Sequence, residues 1–68
     1  MRGTYDNKVN AAYLYLSCEK IARTQVISDE VNFDLDISGK LVGIEFLNAR
    51  SQLTEAILSS FSASHLGR

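Results

Sequence analysis

Residues 31–37, Val-Asn-Phe-Asp-Leu-Asp-Ile, alternate apolar and polar without a break, and the alternation resumes over 41–47, Leu-Val-Gly-Ile-Glu-Phe-Leu. A period of two belongs to strands with one buried face. Val31, Phe33, Leu35 and Ile37 share one side of the first run. Val42, Ile44 and Phe46 share one side of the second. If Ser38-Gly39 between them is a two-residue hairpin loop, Leu35 faces Val42, Phe33 faces Ile44 and Val31 faces Phe46. A slip of one residue would turn the apolar set toward water, so the register is well specified. A longer loop with Gly39 in the left-handed conformation is the alternative. Asn32, Asp34, Asp36 and Glu45 then line the solvent side.

The same stretch spells a calcium loop. Asp34, Asp36, Ser38, Gly39 and Glu45 fill the slots of D-x-[DN]-x-[DNS]-G-x5-E. A calcium hand, however, needs a helix on each side of its loop. Here the entering segment carries Val26, Ile27 and Val31, residues that favour strands. Gly43 stands where the leaving helix should begin; it is poor there and tolerable in a strand that a neighbour crosses closely. The strand reading also carries Glu45 along the ladder, away from Ser38. Asp34 and Asp36 therefore stand only as weak candidates for cation binding. Their ordinary role is to charge an exposed sheet face against stacking. No cofactor and no built metal site are expected.

The rest of the chain extends this picture. Asp6-Asn7 has turn chemistry. After it Ala12, Leu14 and Leu16 alternate with Ala11, Tyr13 and Tyr15, and the aliphatic set is read as the inner one. Residues 20–27 form a second strand of ambiguous register. Ala22, Thr24 and Val26 are favoured on the inner face, which keeps Arg23 in water, over Ile21, Arg23, Gln25 and Ile27. From Asn48 the period changes: Leu53, Ala56, Ile57 and Phe61 form one helical stripe, capped by Asn48 or Ser51, with weak helix formers fraying the end from about residue 62. The expected fold is α+β: an antiparallel β-meander of about four strands, with one C-terminal amphipathic helix packed on one sheet face. Residues 1–68 are expected to form a single domain.

With 68 residues, one cysteine and therefore no internal disulfide, a core of this size is marginal without a metal or a partner. Seven Lys and Arg are scattered along a chain of net charge −1, whereas phosphate binding needs concentrated positive charge. Direct nucleic-acid binding is not expected. The apolar runs fall short of the ~20 residues that span a bilayer, and Met1–Lys8 has no signal-peptide core. A cytoplasmic protein with no membrane association is the expectation.

Tyr5-Asp6, Ala11, Tyr13, Leu16, Thr24, Asp34, Asp36, Gly39, Val42-Gly43-Ile44-Glu45, Leu47 and Ala49 together resemble the pattern of a small bacterial family, domain of unknown function 2283. The resemblance covers roughly residues 5–50, and the D-x-D-x-x-G and G-I-E core is its most specific part. Asn10 departs from the acidic residue of the pattern and Phe46 from its aliphatic. The resemblance implies a stand-alone domain of strands plus a C-terminal helix, and it implies no catalytic residue. Some relatives look like partners of small toxin-like proteins, which implies an antitoxin-like or accessory role.

Three functions compete. An enzyme needs convergent groups; His65, the single histidine, lies near the C-terminus, far in sequence from Cys18. Asp34, Asp36 and Glu45 could form an acidic group on a small enzyme or a weak cation-binding protein, with no pocket implied above them. The reading preferred on these residues is a non-enzymatic protein–protein interaction module. Tyr13, Tyr15, Leu41 and Leu58 are its candidate surface, since tyrosine buries ring area while keeping a polar tip. A homodimer or a small protein partner is expected.

Overall fold

A computed structural model of the protein describes residues 2–63. Its strands are β1 (Arg2–Asp6), β2 (Ala11–Tyr15), β3 (Arg23–Ser28), β4 (Val31–Leu35), β5 (Leu41–Leu47) and β6 (Ser62–Ala63). They form one six-stranded sheet in the order β3-β4-β5-β2-β1-β6. All neighbours are antiparallel except β1 and β6, which run parallel. A 3-10 turn (Ala49–Ser51) and a single short helix, α1 (Glu55–Ser60), connect β5 to β6. The fold is thus a mixed sheet, and the four-strand antiparallel meander with a C-terminal amphipathic helix is incorrect.

Each difference has a local cause. The first strand, Arg-Gly-Thr-Tyr-Asp, has no apolar alternation. It is a strand through its pairing with β2 and β6, and Gly3 lets the Phe61 ring lie against it: a Cβ there would stand 2.6 Å from Phe61 Cζ. The helix is short because Asn48 takes the left-handed conformation at φ 52°, which stops a helix from starting there. The N-cap is Thr54, whose Oγ1 accepts the Ile57 N–H at 3.2 Å. At the other end Phe61 is extended, and Ser62 and Ala63 join Thr4 and Tyr5 in the sheet. Ser62 therefore does not fray; the rest of the tail, with His65, lies outside the described residues.

The core is small. Ala12, Ala49 and Leu58 are buried together, with Tyr5, Phe46, Leu53 and Phe61 packed against them. Helix α1 covers this end of the Ala12–Phe46 face, while Phe33 and Ile44 farther out on it are half-buried. Leu58 carries the helix contact. Ile57, placed on the inner stripe by the sequence, is 41% exposed. The stripe failed because Leu53 and Phe61 lie outside the helix, so a period of 3.6 does not connect them.

The central hairpin keeps the expected pairs Phe33–Ile44 and Val31–Phe46, but Leu35 pairs with Leu41 rather than Val42. The register shifts between Asp34 and Leu35. The loop is longer than two residues: the Asp36 N–H donates to the Lys40 carbonyl at 2.8 Å, and Gly39 sits at φ 82°, the left-handed conformation that glycine adopts without cost. In β3 the favoured register is reversed. Thr24 and Val26 pair with Asp34 and Asn32 on the polar face, and Gln25 pairs with Phe33 on the apolar one. Arg23 stays in water in either case, because as an edge strand β3 is exposed throughout.

Candidate functional site

The sheet face opposite α1 carries the residues that chemistry could use. Tyr13 on β2 pairs with Glu45 on β5, and Asp34 on β4 pairs with Gly43 on β5. The Tyr13 side chain crosses β5 above Gly43, and its O–H donates to Asp34 Oδ2. The Thr24 hydroxyl on β3 donates to the other oxygen, Asp34 Oδ1, at 2.5 Å. One carboxylate thereby ties together β2, β4 and β3. Next along the face, Asn32 Nδ2 donates to Glu45 Oε1 at 2.9 Å.

Gly43 is the residue that permits the crossing. A Cβ there would lie 2.6 Å from Tyr13 Cε1 and 2.7 Å from Cζ, inside any ordinary contact. The reading of Gly43 as a strand glycine closely crossed by a neighbour is correct. Tyr15 stands beside Tyr13 with ring centroids 4.6 Å apart, and the Arg2 guanidinium lies 4.2 Å from the Tyr15 centroid. Such a cation over an aromatic face is held electrostatically. Next to this pair opens a groove of about 520 Å³, whose lining includes Tyr13, Tyr15, Leu16, Cys18 and Ile21.

The acids do not converge. Asp34 and Glu45 flank Tyr13. Asp36 leaves the face and closes its own turn, its Oδ1 accepting the N–H groups of Ser38 at 2.8 Å and Lys40 at 2.9 Å. No group of three metal-ligating side chains exists among the described residues. The candidate interaction residues divide as well. Tyr13 and Tyr15 are half-buried on the polar face and Leu41 is 37% exposed. Leu58 is only 7% exposed and belongs to the core, so its placement on an outer surface is corrected. Arg2 carries no signal in the sequence, since β1 has no apolar alternation, and Thr24 lies on the polar face with Asp34 instead of on the inner face expected for it. The signal for Thr24 was available in the alternation of β4 with β3, had Asp34 been paired first.

The Tyr13 phenol is pushed above the ordinary phenol range, first by burial, then by the hydrogen bond it donates to Asp34, and then by the negative charge of Asp34 and Glu45. A group whose folded pKa is raised contributes stability below its unfolded value, ~10 for tyrosine, and loses it as pH rises through the folded value. Stability of the native protein is therefore expected to fall as pH rises above ~10, and Tyr13→Phe is expected to flatten that fall. Urea midpoints read at neutral and alkaline pH check it; equal pH dependence in the two proteins would contradict the assignment.

A model of the family described as "Protein of unknown function (DUF2283)" matches residues 3–50. No curated protein and no solved structure matches the chain. No helix among the described residues is long and apolar enough to cross a membrane.

Proposed function

This chain belongs to the DUF2283 family, and from that premise we propose that it is a non-enzymatic protein–protein interaction module, an antitoxin-like or accessory partner of another small protein. The observation that carries the reading is the tilted Tyr13–Tyr15 ring contact with Arg2 over the Tyr15 ring, standing on the sheet face that α1 leaves open. Tyrosine and arginine are the side chains most enriched where binding energy concentrates. Tyr13 is already held by Asp34 and packs against Tyr15, so little of its side-chain entropy remains to be lost on docking. Ile21, 46% exposed, extends the apolar side of the adjoining groove. The acids support a non-catalytic role, since Asp34 and Asp36 already accept hydrogen bonds that build the sheet and its turn.

The test is to recover the partner from the native host and titrate it against variants. Tyr15→Ala is expected to weaken binding by roughly tenfold or more, the size of a hot-spot truncation, while the urea midpoint changes little. Unchanged affinity in both Tyr15→Ala and Arg2→Ala would remove the face from the account.

A further inference from the structure

Strand β3 is the outer edge of the sheet, and all six of its residues are exposed. Val26 is 73% exposed and Ile27 46%. An uncovered edge of this length presents unpaired backbone N–H and C=O groups to any strand that can dock. The opposite edge, β6, spans only Ser62–Ala63 among the described residues.

The charges around β3 fit a copy of itself. Arg23 begins the strand, and Asp29 begins the acidic Asp29-Glu30 turn that follows it. Arg23 and Asp29 each lie three positions from Val26. Neither makes an ion pair or a side-chain hydrogen bond with another described residue. An antiparallel pairing about a twofold axis perpendicular to the sheet, centred on Val26, sets Arg23 of each copy beside the acidic turn of the other. It also places the two Val26 side chains against each other. Centring the axis one residue either way puts Arg23 opposite Ile27 or Val31 and loses the match. The bulge between Val26 and Ser28 leaves Ile27 as the residue without a β4 partner. Opposite charges directly across a strand pair are favourable and like charges unfavourable.

We propose that this chain forms a homodimer by antiparallel β3–β3 pairing centred on Val26, joining two six-stranded sheets edge to edge. This surface is separate from the Tyr15 face, so each stands or falls alone.

Sedimentation across a concentration series is expected to show a dimer. Arg23→Glu and Asp29→Lys are each expected to raise its dissociation constant by about tenfold, since each sets like charges together, and the double variant is expected to restore it. In a Cys18→Ser background, Val26→Cys is expected to give a disulfide-linked dimer on oxidation. Circular dichroism confirms that these exposed-strand variants remain folded. A monomer at every concentration, charge reversals without effect, or Val26→Cys that fails to crosslink would each overturn the proposal. None of these outcomes bears on partner binding by Tyr15→Ala, so the two readings fail separately.

Discussion

Leu58→Ala is expected to cost about 2–4 kcal/mol, the usual range for truncating a buried leucine. Leu58 is one of three residues in the buried cluster, and the other two, Ala12 and Ala49, are alanines. It is therefore the only large side chain that fills the space between α1 and the sheet from within that cluster. A domain of this size holds roughly 3–5 kcal/mol in total, so the variant should be largely unfolded at 37 °C. Far-ultraviolet circular dichroism with urea titration measures it directly. An exposed leucine on a docking surface would change stability by no more than ~0.5 kcal/mol. A midpoint within that margin of wild type would return Leu58 to the surface and contradict the core described here.

Gly43→Ala is expected to cost about 2–3 kcal/mol, combining overpacking with loss of a charge-assisted hydrogen bond. The added methyl occupies the path of the Tyr13 ring. The ring must rotate away, which breaks its bond to Asp34 and leaves that carboxylate with Thr24 alone. A second substitution isolates the cause. In a Tyr13→Ala background nothing crosses Gly43, and the cost of Gly43→Ala should vanish, leaving a change that is neutral or stabilising by up to ~1 kcal/mol, the intrinsic advantage of alanine over glycine in a strand. Additive effects in this double-mutant cycle would show that the crossing contributes nothing. Gly39 provides a contrast: nothing stands within 4 Å of a Cβ built there, and the penalty of alanine at that site arises from its positive φ alone.

What was readable in the sequence was the alternation of 31–35 against 42–46, because that face is apolar and a slip would expose it. The Phe33–Ile44 and Val31–Phe46 pairs follow from it. Near the loop the alternation no longer reports the face: it puts Asp36 on the solvent side of the strand, whereas its side chain bonds the backbone of its own turn. The helix is shorter than its apolar spacing predicts because that spacing carries no sign of a left-handed Asn48. β1 left no trace, since Gly3 and its neighbours have no apolar rhythm and their strand exists only through pairing with β2 and β6.

For the site, the loss was of a different kind. Tyr13, Thr24, Asp34 and Gly43 were each noticed, but their junction depends on strand order. Only with β5 between β4 and β2 does a tyrosine on β2 reach an aspartate on β4 across a glycine. Alternation assigns faces and does not order strands. The calcium-like string is thereby explained without an ion: Asp34 receives Tyr13 and Thr24, Asp36 closes the loop, Gly39 turns it, and Glu45 binds Asn32.

The most direct test of the interaction account places a photo-reactive benzoylphenylalanine at position 15, preserving an aromatic ring there, and irradiates cells of the native host. The account predicts a crosslink to one discrete protein other than this chain, lost when Arg2→Ala is added. The absence of any such crosslink, with the variant folded and expressed, would contradict it.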